Sequence, residues 1–66
     1  MNSYDELFEM AIQKLSDMLG RPVEENDVDI KHVDINNEII TLFEKKIRKY
    51  FKFIPQPNGQ WKIIQL

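Results

Sequence analysis

The side chains best suited to chemistry in this chain form a basic cluster past its midpoint. The order Lys-Lys-x-Arg-Lys-x-x-Lys would bring several cations onto one face of a helix through i+3 and i+4 steps. With an aromatic contact such as Trp61 nearby, that face suits a phosphate backbone and stacking on bases. The basic cluster comprises Lys45, Lys46, Arg48, Lys49 and Lys52.

An acidic cluster lies upstream of the basic one. It comprises Glu24, Glu25, Asp27, Asp29 and Asp34. All 11 acidic residues fall within residues 1–44, whereas residues 45–66 carry six of the 9 bases and no acid, although the net charge is only −2. Such a division indicates either a charged partner or two halves that neutralise each other within the fold. An acidic edge on a tiny domain could also occupy the basic site of another protein.

Catalytic and metal-binding patterns are poorly represented. The chain has no Cys, and its single histidine, His32, has no second His or Cys with which to form a zinc site. Asp27-x-Asp29-x-Lys31 begins like a calcium loop but places a lysine at the third ligand position. We therefore expect a protein that is not an enzyme and that uses no metal or cofactor.

The first predicted element is a helix from Tyr4 to Leu19. Ser3-x-x-Glu6 has the form of a capping box, and apolar residues recur behind it at spacings of three and four. Gly20 can adopt the left-handed conformation that ends a helix, and Pro22 prevents its continuation. Without disulfides, the apolar stripe of this helix must supply much of the core.

A hairpin is predicted next. Alternating β-branched residues over Val28–Ile35 favour a strand. The alternation slips by one residue near Lys31, which indicates either a bulge there or a strand that starts only at Lys31. Asn36-Asn37 suits the centre of a type I′ turn, because Asn tolerates positive φ. A second strand over 38–41 would follow.

The basic cluster is predicted to lie on a second helix. Thr41-x-x-Glu44 is another capping box, and aromatic and aliphatic residues recur behind it at i+4 spacing, with Phe43 central among them. This pattern favours a helix from Leu42 to Phe51. A longer helix that begins at Glu38 is left open by the same spacing.

The chain is predicted to close with a strand. Asn58-Gly59 is a turn signal, and Trp61–Leu66 is rich in strand-forming residues. Pro55 and Pro57 cannot donate to a sheet ladder, so residues 53–56 should form at most an edge strand.

The predicted fold is a single small α+β domain over residues 1–66. Its order is α-β-β-α-β, with a small antiparallel sheet packed against two helices. The alternative is a winged helix, in which the basic helix 42–52 reads DNA and Asn58-Gly59 forms the tip of the wing.

The expected function is that of a non-enzymatic protein-interaction module. We expect a bacterial or phage regulator, inhibitor or adaptor that acts through its charged surfaces. Its expected partner is another protein, with a homodimer through Trp61–Leu66 as a further candidate and nucleic acid as the partner of the winged-helix alternative. No apolar run is long enough to span a membrane, and the N-terminal residues lack a signal-peptide pattern, so the expected location is cytoplasmic.

Overall fold

The computed structural model describes residues 3–66, which form one helix and a four-stranded antiparallel sheet. The elements are helix α1 (Tyr4–Leu19), a short 3-10 turn (Glu25–Asp27), and strands β1 (Val28–Asp34), β2 (Ile39–Glu44), β3 (Lys49–Pro55) and β4 (Trp61–Gln65). The strands lie in the order β1-β2-β3-β4, so each pairs with its neighbour in sequence. The α+β class is confirmed.

Helix α1 has the predicted bounds and both predicted caps. The Ser3 hydroxyl accepts a hydrogen bond from the Glu6 amide at 3.2 Å, and Gly20 takes a left-handed conformation with φ 70°. Ser16, near the end of the helix, is half-buried, and its hydroxyl accepts a hydrogen bond from the Val23 amide at 3.0 Å. This bond ties the end of the helix to the connection that leads into the sheet.

The core lies between α1 and one side of the sheet, which we call the helix-facing side. Strand residues alternate between the two sides of a sheet, so the buried apolar residues of β2 and β3 recur every second position. The side chains buried in this layer are Leu7, Ala11, Leu15, Val23, Val28, Ile40, Leu42, Phe51 and Phe53. No helix of the described residues packs on the other side of the sheet, and we call it the open side.

The predicted bulge is present in β1. Ile30 pairs with Leu42 and Val33 pairs with Ile40. Between these two pairs β1 has two residues, whereas β2 has one. The extra residue falls at Lys31, between Ile30 and His32. As a result both Ile30 and Val33 point to the helix-facing side, which an unbroken alternation could not achieve.

The second predicted helix is wrong. Residues 42–51 form the end of β2, a four-residue turn over 45–48 and the start of β3. The i+4 spacing was coincidental, because Ile47 lies in the turn with 41% of its surface exposed. Glu44 does not cap a helix; its carboxylate accepts from the backbone amides of the turn. Within residues 3–66 neither a helix from Leu42 nor one from Glu38 exists, so the α-β-β-α-β order and the winged helix are both incorrect.

The Asn36-Asn37 hairpin is confirmed, but its turn is not type I′. Among residues 35–38 the positive φ is found at Glu38 (57°), and neither Asn has a positive φ. Asn37 is held by Asp34, whose carboxylate accepts from its backbone amide at 3.2 Å and its side-chain amide at 2.8 Å. Arg48 (59°) holds the same final position in the turn between β2 and β3. Both are four-residue turns that end on a left-handed residue.

The prediction that Pro55 restricts its segment to an edge is also wrong, because β3 is an interior strand. Pro55 is its last residue and pairs with Trp61. The last pair between β2 and β3 is Ile40–Phe53, so Pro55 lies beyond that ladder and its missing N–H removes no bond. The Trp61 strand is confirmed as β4, which is an edge strand of the sheet.

Truncation of Leu15 should unfold most molecules. Leu15→Ala removes a fully buried side chain and should cost about 2–5 kcal/mol. The total stability of a domain this small is about 3–5 kcal/mol. Met18→Ala on the same helix is the control, because Met18 is 45% exposed and its loss should change stability by less than about 0.5 kcal/mol. Thermal unfolding monitored by circular dichroism compares the two variants. Equal melting temperatures would contradict the placement of Leu15 in the core.

Glycine should be favourable at Glu38 and unfavourable at Asn37. Glu38→Gly relieves a left-handed conformation and should raise the free energy of unfolding by up to about 1 kcal/mol. Asn37→Gly removes the side-chain hydrogen bond to Asp34 and adds backbone entropy to the unfolded chain. This variant should therefore lower the free energy of unfolding by up to about 1 kcal/mol. Urea unfolding measures both, and the opposite ranking would restore the type I′ turn.

Candidate functional site

The open side of the sheet has no covering layer among residues 3–66. Cross-strand partners share a side, and the pairs Phe43–Tyr50, Thr41–Lys52 and Lys52–Ile64 lie away from the buried set. The open face, as we define it, comprises Asp29, Lys31, His32, Asp34, Ile39, Thr41, Phe43, Tyr50, Lys52, Ile54, Lys62 and Ile64.

The centre of the open face is apolar and aromatic. The ring centroids of Phe43 and Tyr50 lie 4.7 Å apart with planes tilted by 51°. Thr41 retains only 8% exposure although no helix covers it, because neighbouring side chains on the same face shield it. Tyr50 is 42% exposed, so the centre of this face offers a large side chain to solvent.

Three lysines surround this centre. The Lys31 Nζ lies 5.8 Å from the centroid of the Phe43 ring, in a cation–π arrangement. Lys52 and Lys62 lie on β3 and β4, next to Ile64 and Ile54 respectively. Among the ion pairs within residues 3–66, none involves these three lysines. Their charge is therefore available to a ligand.

The basic cluster does not form one surface. Lys45, Lys46 and Arg48 lie in the turn between β2 and β3, Lys49 begins β3, and Lys52 belongs to the open face. Two of its members face acids: the Lys45 Nζ is 3.4 Å from an Asp29 carboxylate oxygen, and the Lys46 Nζ is 3.9 Å from one of Asp27. The two oppositely charged halves of the chain thus meet at this turn and partly neutralise each other.

The acidic cluster is largely used in local structure. The Asp27 carboxylate accepts from the Glu24 amide at 3.0 Å, which closes the 3-10 turn. The side-chain hydrogen bond from Asn37, followed by the one from its backbone amide, lowers the pKa of Asp34. Glu25 is exposed beside them. These positions support the loops that lead into and out of β1.

Trp61 is placed apart from the other candidate residues. It pairs with Pro55, on the helix-facing side of the sheet, and is half-buried against the core. It therefore contributes packing at the start of β4 and does not lie on the open face.

Glu44 and Arg21 form a site that sequence reasoning missed. Glu44 is fully buried on the helix-facing side, where its carboxylate pairs with the Arg21 guanidinium and accepts from the amides of Lys46 and, at 3.4 Å, Ile47. Burial alone raises the pKa of Glu44, but these hydrogen bonds outweigh it and hold that pKa below its ordinary value. This anion fixes the turn that joins the two central strands.

No signal in the sequence marked the open face. Thr41 and Glu44 were interpreted as a capping box ahead of a helical stripe that includes Phe43. Both sides of β2 and β3 carry apolar residues, so no alternation of apolar and polar residues indicated two strands.

Other features of known chemistry are few in the described part of the chain. Within residues 3–66 no three His, Cys, Asp or Glu side chains are grouped so that they could hold a metal ion. No helix there is long and apolar enough to cross a membrane. No protein-family model matches the chain, and no curated protein or solved structure matches it either.

Acid should destabilise the fold through Glu44. Because the folded state lowers the pKa of this group, its stabilisation is complete above the unfolded-state pKa of about 4.3 and is lost as the pH falls through the folded-state pKa. Urea unfolding from about pH 7 to about pH 3 should show a decreasing free energy of unfolding. Glu44→Gln should lose about 1–3 kcal/mol at neutral pH and follow a flatter curve.

Asp34→Asn provides the control for this titration. The pKa of Asp34 is also lowered, so its removal takes away a separate contribution from a different turn. In Asp34→Asn the free energy of unfolding should still fall with decreasing pH, because the contribution of Glu44 is retained. Parallel pH curves for the parent and for Glu44→Gln would show that the buried carboxylate does not carry the acid sensitivity.

Proposed function

We propose that this chain is a non-enzymatic binding module whose open face takes an acidic protein partner. One observation carries the proposal: apolar side chains occupy the centre of a sheet side that no element within residues 3–66 covers. An antiparallel sheet with one side in water ordinarily alternates apolar and polar residues, so its outer side is polar. Apolar groups with a polar rim on such a side are typical of an interaction surface.

Charge complementarity indicates the chemistry of the partner. Lys31, Lys52 and Lys62 are the cations of the open face and have no ion-pair partner within residues 3–66. The acids of this face, Asp29 and Asp34, lie on the edge strand β1, where Asp29 pairs with Lys45 and Asp34 accepts from Asn37. Their aliphatic stems can extend the apolar centre while their ammonium groups reach carboxylates on a partner. Such a rim sets orientation and association rate, and the aromatic centre supplies most of the affinity. The matching surface is an apolar patch bordered by Asp and Glu.

The aromatic geometry favours protein over single-stranded nucleic acid. Stacking of bases needs ring faces that are open to the ligand. Phe43 and Tyr50 instead tilt against each other, and Lys31 already lies over the Phe43 ring. The net charge of −2 also repels a polyanion at long range. The helix that would have entered a DNA groove is replaced by strands β2 and β3.

The role that we propose remains that of a regulator, inhibitor or adaptor. A domain of 66 residues that occupies an acidic site on its partner can block that site or bridge it to another protein. A bacterial or phage cytoplasm is the setting that we propose for it. The acids of α1 lie on the opposite side of the molecule, so they would orient the open face toward an acidic partner.

Selection from a displayed random-peptide library tests this proposal. Peptides selected on the immobilised parent should combine Asp or Glu with aromatic or aliphatic residues. They should bind the open-face variant Lys31→Gln, Lys52→Gln, Lys62→Gln about tenfold more weakly, which corresponds to about 1.4 kcal/mol over three rim charges. Binding should fall similarly in Tyr50→Thr, which removes the exposed ring and keeps strand propensity.

A matched variant separates position from net charge. Lys14→Gln, Lys46→Gln, Lys49→Gln removes the same number of lysines from outside the open face and should bind the selected peptides within about twofold of the parent. An equal loss of peptide binding in both triple variants would show that the open face is not the binding site. A labelled oligothymidylate is the second probe. If the parent binds it at physiological salt and only the open-face variant loses this binding, the proposed partner would be nucleic acid and not protein.

A further inference from the structure

The free edge of β4 is an unprotected hydrogen-bonding surface. β4 contains no proline and no bulge, and its only charged residue is Lys62, whose side chain lies on the open side. The edge strand at the other end of the sheet, β1, carries the bulge at Lys31 and the acids Asp29 and Asp34. Bulges and charges on an edge strand hinder pairing with another chain, and β4 has no bulge and only this one charge.

The pairing within the sheet fixes which groups of β4 point outward. The Leu66 amide donates to the Tyr50 carbonyl at 2.9 Å, and the Gln56 amide donates to the Gln60 carbonyl at 2.8 Å. Hydrogen-bonded positions alternate along an antiparallel pair, so Lys62 and Ile64 also bond to β3. The N–H and C=O groups of Trp61, Ile63 and Gln65 therefore face away from the sheet, and they form the β4 edge.

We infer that the β4 edge pairs antiparallel with the β4 edge of a second copy, about a twofold axis at Ile63. In this register Ile63 opposes its own copy and Trp61 opposes Gln65 of the other chain, so all three outward residues find partners. On the open side Lys62 then opposes Ile64 of the other chain. An axis at Lys62 would oppose two ammonium groups, and an axis at Ile64 would leave Trp61 unpaired.

A closed dimer follows from the difference between the two edges. Pairing of β4 with β1 of another copy would propagate without end, but the bulge in β1 opposes that contact. The β4–β4 dimer joins two sheets into one and brings two open faces side by side. The inference does not depend on the proposed function, because the β4 edge and the open face use different groups.

Sedimentation and amide exchange together test this dimer. The parent should sediment as a dimer at high micromolar concentration. In NMR exchange experiments the Ile63 and Gln65 amides should become protected by at least about tenfold as the concentration rises into the dimer range. Gln65→Pro removes one outward N–H from an exposed residue without touching the bonds to β3, and should weaken the dimer by about tenfold or more.

The control is Gln65→Thr, which changes the same side chain and keeps the N–H, so it should dimerise like the parent. Circular dichroism of both variants verifies that the sheet is intact. A parent that remains monomeric throughout, with fast exchange at Ile63 and Gln65, would overturn the inference. So would a dimer in which these amides stay unprotected, or one that Gln65→Pro leaves unchanged, because each would require a different interface. Binding of the selected peptides by monomeric Gln65→Pro would show that the open face acts independently of the dimer.

Discussion

The structure depends on one packing contact, between a single sixteen-residue helix and one side of a four-stranded sheet. Every fully buried aliphatic or aromatic side chain belongs to that layer or to its margins. With no cysteine, no disulfide can replace it. The contact also decides which side of the sheet is left without cover. The apolar residues on the open side are therefore a consequence of the same arrangement that holds the chain folded.

The turn between β2 and β3 shows how charge is used inside this small core. A buried carboxylate is costly unless it is paired and hydrogen-bonded. Glu44 meets that requirement with Arg21 on one side and the turn amides on the other. Lys45 and Lys46 then reach the acids at the start of β1. The basic cluster resembled a ligand-binding surface in the sequence, but some of its lysines instead stabilise the hairpin through ion pairs within the fold.

The sequence was informative where local signals agreed with burial. The Ser3 cap and terminal glycine of α1, the slip at Lys31 and the strand from Trp61 were all predicted because each has a mechanism confined to a few residues. The segment around Glu44 failed for a physical reason. A capping-box motif and i+4 apolar spacing favoured a helix, whereas the burial of Ile40 and Leu42 against α1 required a strand. That competition is decided by tertiary packing, which short-range patterns do not contain. The open face could not be predicted either, because it exists only once β2 and β3 are strands.

The order of the strands has a consequence for how the chain reaches this state. Each strand bonds to the next one along the chain through a short turn, so no pairing in the sheet has to close a long loop. Topologies of low contact order fold faster than sheets with distant pairings. The long-range step is the return of α1 onto the sheet, and it is this step that hides the apolar side. Until it occurs, both apolar sides of the sheet are exposed, and this is the stage at which the folding chain can aggregate.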